Sequence, residues 1–246
     1  MSENKIQPYL VPLSIIVAGA FIAGGIYLSG GISGAGQTAQ VGDSQQAKLP
    51  TVRKVEASRD HIRGDINAKI VIVEYSDLQC PFCSQFHATM KQVIDKYGAN
   101  KQVAWVYRNF PLSSIHPEAR PAAIAAECVA KLKGNDTFWN FADAIFLDQN
   151  NIGSAMFTKL AQTAGISADD FNKCIADPDI AKIIADEEQE ISAQGAQGTP
   201  FSVVFKDKKA IGVIPGALPY AQVEVAIEQA INPGKTPAAP QVQPTN

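Results

Sequence analysis

Two cysteines two residues apart, Cys80 and Cys83, stand between a β-branched run and a helix-like run, and no other feature restricts the fold as tightly. Residues 69–75 read Lys-Ile-Val-Ile-Val-Glu-Tyr, the pattern of a strand buried on both faces. Pro81 sits where helices tolerate a first-turn proline. From Phe82 to Tyr97 the apolar residues Phe86, Met90, Val93, Ile94 and Tyr97 recur at helical spacing, and Gly98 suits a stop. A buried strand that feeds a helix through a Cys-x-x-Cys turn begins an α/β unit.

The remaining pattern extends that unit. Residues 102–108 predict a second strand. Helix signals then follow over 117–133, 136–147, 154–164, 167–176 and 178–194. Ser154 and Ser167 are candidate N-caps, and Gly134 and Gly165 candidate stops. Strands return at 201–205 and 210–214, joined by the polar turn 206–209, and a last helix spans 220–231. The order is βαβ, a helical block, then ββα. It predicts an α/β sandwich over 56–232 with a helical insertion at about 113–195.

The flanks concern location. Residues 10–28 form a nineteen-residue run without a charge. A bilayer-crossing helix needs roughly 20 residues, whereas the apolar part of a secretory signal is about 7–15 long. The expectation is one transmembrane anchor behind a short cytoplasmic tail at 1–9. The alternative is a cleaved signal peptide, with Ser33 and Ala35 as small residues near a cleavage point. Either one exports the remainder, to an oxidising compartment where disulfides persist. Lys5, partly offset by Glu3, precedes the run and no basic residue follows it before Lys48, an imbalance that favours the bulk outside the cytoplasm. Residues 29–55 read as a flexible linker and 233–246 as a disordered tail. A net charge of -3 and no Lys/Arg-rich run argue against nucleic-acid binding.

The Cys-x-x-Cys position has a chemical logic. A thiolate is the reactive form of cysteine, and a helix N-terminus offers free N–H groups and partial positive charge. Cys80 is therefore the expected exposed, low-pKa sulfur, and Cys83, one turn in, the covered partner. A structural zinc site would want four ligands, usually two such pairs, and no second pair exists. His87 is expected to be an exposed polar residue of the helix. Glu74 lies six residues before Cys80 inside an apolar strand. A carboxylate there should have a raised pKa and could carry the Cys83 proton; the alternative is an outward-facing edge position. Gly198-Thr199-Pro200 precedes the strand at 201–205. Trp105, Trp139, Phe86 and Phe141 read as core, His116 as a turn histidine or a neighbour of the site, and Asp186 to Glu190 as a solvated helix face.

As a set, Glu74, Cys80-Pro81-Phe82-Cys83, the helical insertion and Thr199-Pro200 resemble the DsbA-like branch of the thioredoxin superfamily. The segments 75–83, Arg108 to Leu112 with His116-Pro117, and Phe138-Trp139 are similar to that branch as well. The resemblance covers about 56–232 and implies a thioredoxin fold. It implies that Pro200 is a cis-proline beside the redox pair, that Glu74 is the family's buried acid, and that Thr199 pairs with an extended substrate peptide. Pro81 and Phe82 complete the surface expected to meet substrate. One departure stands out: Phe82 replaces the histidine of the best-known member, removing a possible donor to the Cys80 thiolate.

Four cysteines permit three pairings. In an exported domain Cys128 and Cys174 are expected to form a structural disulfide, as in some relatives of this branch; the alternative is two separately buried thiols. The reading is a membrane-tethered dithiol oxidase, with its catalytic domain on the extracytoplasmic side of the cell membrane and no metal or organic cofactor. It would act on exported proteins with free cysteines, work as a monomer, and be reoxidised by the quinone-linked membrane oxidase that the family implies. The rivals are a reductase or isomerase of exported disulfides, or a peptide-binding module.

Overall fold

The computed structural model describes residues 49–234. The predicted tail at 1–9, the span at 10–28, most of the 29–55 linker and all but the first two residues of the 233–246 tail lie outside the described residues. Among the described residues no helix is long and apolar enough to cross a membrane.

The first element among the described residues is one the sequence pattern missed: β1, His61–Arg63, three residues long. A strand that short shows no alternation to detect. β2 follows at Ile70–Ser76, then α1 at Pro81–Tyr97 and β3 at Val103–Asn109. The insertion comprises α2 (Ala119–Lys133), α3 (Asn135–Leu147), α4 (Ser154–Thr163), α5 (Ala168–Ile175) and α6 (Pro178–Ser192). β4 (Phe201–Lys206), β5 (Lys209–Pro215) and α7 (Tyr220–Ile231) are the last described elements. Ser167 caps α5 by accepting from the Asp170 N–H, as its position predicts. Ser154 does not cap α4; it is the first helical residue, after Gly153. Gly134 ends α2 at a positive φ of 87°, a conformation suited to glycine.

The five strands among the described residues lie in the order β1-β3-β2-β4-β5. β2 and β3 are parallel, and every other pair is antiparallel. β2 is therefore central and covered on both faces, as its unbroken apolar run requires. Ile70 and Ile72 belong to the main core with α1, α2, α3 and α7. Val73 and Tyr75 point the other way, into a smaller cluster with Val106, Phe110 and Ile191. Trp105, Trp139, Phe86 and Phe141 are all core residues.

The smaller cluster also takes Val52 and Val55, so the expected linker ends earlier than residue 55. The same segment is held by Arg108, which is fully buried in β3. Its Nε donates to Asp60 Oδ1 at 2.9 Å, and its Nη2 donates to the carbonyls of Arg53 at 3.2 Å and Lys54 at 3.4 Å. Arg53 in turn donates to Asp60 and Glu187. Thr51 N–H donates to Gln194. The 51–60 segment is thus strapped to β3 and α6. Glu187 and Glu190 face this network, so the acidic run at 186–190 is not simply a solvated face. A buried guanidinium needs such partners, because an unpaired charge there would be costly.

Candidate active site

Cys80 is the N-cap residue of α1 and Pro81 follows at its first position. Both Cys80 and Cys83 are free, so the pair stands in the dithiol form. Cys83 is fully buried, and the Asp77 N–H donates to its sulfur at 3.4 Å. Cys80 departs from the open sulfur expected of it: it is only 3% exposed. The Thr199 carbonyl lies over it and accepts from its thiol at 3.6 Å. Beside it, Phe82 is 59% exposed.

The two thiols are electrostatically opposite. The Cys80 thiol is pulled down to about 6. The Cys83 thiol is the largest cause, burial opposes it, and the Thr199 hydroxyl and the backbone N–H groups of Cys83 and Phe82 add to it. Cys83 is pushed well up, first by burial and then by its hydrogen bond with Cys80 and the nearby charge of Glu74. One sulfur is a ready thiolate and the other holds its proton.

Glu74 is 1% exposed in the central strand, which removes the edge alternative. Burial raises its pKa to about 7, against the nearby Ser76 hydroxyl and the Trp105 indole N–H, which lower it. The Trp105 indole N–H donates to its Oε2 at 2.8 Å. The backbone registers Glu74 beside Tyr107 of β3 and Ser202 of β4. The hydroxyls of Ser76, Tyr107 and Ser202 are buried and have no hydrogen-bond partner among the described residues.

Thr199-Pro200 is a cis peptide bond and leads into β4. Two bonds hold the end of α3 against the start of α1: Ser84 Oγ donates to the Phe146 carbonyl at 3.0 Å, and Gln149 Nε2 donates to the Cys80 carbonyl at 3.1 Å. Between them Leu147 is 88% exposed.

Asp77 is a site residue the sequence reading passed over. Its Oδ1 accepts from the Gln79 N–H, and its Oδ2 accepts from the Leu112 N–H and lies 2.7 Å from His116 Nδ1. This Asx turn fixes the loop that delivers Cys80, and an Asp two residues before the turn's donor is its recognisable sign. His116 is thereby a neighbour of the site's loop. His87, by contrast, is not exposed: it is buried against Trp105 and Phe146, with Nε2 2.6 Å from Asp143 Oδ1.

Cys128 of α2 and Cys174 of α5 form a disulfide, with Cα atoms 5.6 Å apart. Among the described residues there is no cluster of three or more His, Cys, Asp or Glu side chains arranged to hold a metal.

A family model described as Thioredoxin matches residues 56–229. Among solved structures, Wolbachia pipientis alpha-DsbA1 is 26% identical with a TM-score of 0.61, over 74% of this chain and 95% of that one. Pseudomonas aeruginosa DsbA2 is 26% identical with a TM-score of 0.58, over 69% of this chain and 93% of that one. BdbD from Bacillus subtilis, at 19% identity and a TM-score of 0.60, shares the fold, over 75% of this chain and 99% of that one. Among curated proteins, the Na(+)/H(+) antiporter NhaA 3 of Salinispora tropica is 32% identical over 146 residues, 59% of this chain and 22% of the antiporter. NhaA 1 of Mycolicibacterium vanbaalenii is 32% identical over 154 residues, 62% of this chain and 24% of the antiporter. The chain thus spans less than a quarter of the length of these curated relatives.

Proposed function

Because this chain belongs to the thioredoxin family, on its DsbA-like branch, we propose that it is a thiol–disulfide oxidoreductase that introduces disulfides into exported proteins through Cys80 and Cys83. The carrying observation is the split between the two thiols, with Cys80 held near 6 at a helix start and Cys83 raised beside Glu74. A stabilised Cys80 thiolate is a good leaving group, and stabilising the dithiol form makes the disulfide a stronger oxidant.

The reaction follows from that split. A substrate thiolate attacks Cys80 of the oxidised pair, and the bond to Cys83 breaks. A second substrate thiolate then attacks the substrate sulfur of the mixed disulfide, and Cys80 leaves as a thiolate. The substrate gains a disulfide and the pair is reduced. The Thr199 backbone beside Pro200 supports pairing with an extended peptide. The exposed Phe82 and Leu147 give that peptide apolar contact.

We place the domain on the extracytoplasmic side of a cell membrane, tethered as a monomer by residues 10–28 and reoxidised by a quinone-linked membrane oxidase. The uncharged nineteen-residue run and the Cys128–Cys174 disulfide support that placement. The antiporter likeness concerns under a quarter of those chains, and ion exchange forms no part of the proposal.

The test is turnover. The oxidised chain, mixed with a reduced unfolded protein bearing two cysteines, should form its disulfide at the expense of the Cys80–Cys83 bond. A Cys80→Ser variant should lose this. Full activity in that variant would reject the proposal.

A further inference from the structure

Glu74 and Ser76 are two residues apart on β2 and so point to the same face of the sheet, toward α1. Both are 1% exposed. The Cys83 sulfur sits at the same end of β2, because it takes the N–H of Asp77, the residue after Ser76. The Ser76 hydroxyl lies against Glu74, Cys83 and Tyr107 alike, yet forms no settled hydrogen bond with any of them. Leaving a buried hydroxyl without a fixed partner is costly and calls for a reason.

We propose that the Ser76 hydroxyl is a further catalytic residue, the bridge that carries a proton between Glu74 and Cys83. The proposal rests on Cys80–Cys83 being the working redox pair. A hydroxyl donates and accepts at once and rotates to suit, so it can give one proton while taking another. Trp105 cannot fill this role, since an indole N–H only donates and is already bonded to Glu74 Oε2. The other groups facing the pair are Tyr107 from β3, Ser202 from β4, Asp77 from the loop after β2 and Cys80 from α1.

The step balances. Substrate thiolate bonds to Cys80 Sγ, the Cys80–Cys83 bond breaks, and its electron pair goes to Cys83 Sγ. Ser76 O–H gives its proton to that sulfur while the Glu74 carboxyl gives its own to the Ser76 oxygen. Cys83 ends as a thiol and Glu74 as a carboxylate; the electrons come from the substrate dithiol, which is oxidised. Reoxidation runs the same path backwards.

The experiment measures exchange with a dithiol peptide by stopped flow, as a function of pH, in the full chain. Ser76→Ala should slow exchange roughly 10²-fold and lose the inflection due to Glu74. The Cys80 thiolate titration should stay in place, and Ser76→Thr should restore the rate. Ser76→Ala combined with Glu74→Gln should be no slower than Glu74→Gln alone. Losses that multiply, a Ser76→Ala chain with the original rate and pH profile, or a Tyr107→Phe chain that alone shows the loss would each overturn the proposal. A solvent-isotope proton inventory on the unaltered chain needs no variant: two protons in flight bow the plot, and a straight line overturns the bridge. An unaffected Ser76→Ala chain beside an inactive Cys80→Ser chain would sink the bridge and leave the redox reading standing. Exchange surviving Cys80→Ser would sink the reading itself.

Discussion

The Trp105 indole N–H reaches across from β3 to donate to Glu74 Oε2 at 2.8 Å, tying the buried acid to the neighbouring strand. Glu74 nevertheless stays hard to ionise, at about 7, because burial outweighs that bond. The folded chain therefore prefers Glu74 protonated, a preference fully present below the ordinary value of 4.5 and lost as pH rises through about 7. Glu74→Gln should match the parent in stability at low pH. Above about 7 it should be more stable, by on the order of 3 kcal/mol. Denaturant melts of the reduced chain at both extremes check this, and an equal gap at the two would contradict it.

The Cys80 thiolate should appear in the ultraviolet with a midpoint near 6, as one thiolate per chain, while Cys83 stays protonated. Cys80 is depressed, so its contribution to the reduced chain's stability is present above the ordinary 9.0 and is lost as pH falls through about 6. Because the Cys83 thiol is the largest cause, Cys83→Ala should move the midpoint upward more than Thr199→Val does.

The Cys128–Cys174 bond closes a separation of 46 residues. The chain-entropy model gives about 4 kcal/mol for such a loop. Replacing both cysteines by Ala should lower unfolding stability by up to that amount and leave the Cys80 midpoint unmoved. Thiol counting on denatured, non-reduced Cys80→Ser/Cys83→Ser chain should find no free thiol; two would contradict the pairing.

Arg108→Met should cost about 3–5 kcal/mol, because Asp60 loses its buried partner. Hydrogen exchange should show the amides of 51–60 opening with it, since Arg108 holds the Arg53 and Lys54 carbonyls. Unchanged protection over that segment would contradict the strap.

Much of the site was legible because it is local. The strand, the Cys-x-x-Cys turn and the helix that follows occupy one continuous stretch, and a lone carboxylate in an apolar strand announces itself. What was hidden depends on residues far apart in sequence. Cys80 is covered by Thr199, 119 positions away, so its burial left no sign near residue 80. Arg53 meets Glu187 across 134 positions, one from the expected linker and the other from the expected solvated helix face. His87 sits on a helix face that periodicity treats as polar; Asp143 and the rings of Trp105 and Phe146 draw it inside. Periodicity reads which way a side chain points along its own element, and it is silent about partners from elsewhere.

The central claim is that this pair donates disulfides, and its reduction potential tests that most directly. Equilibrating the full chain with glutathione buffers should place the Cys80–Cys83 couple near the oxidising end of the range for such pairs, roughly −120 mV. A value near roughly −270 mV would make the chain a reductant and contradict the account.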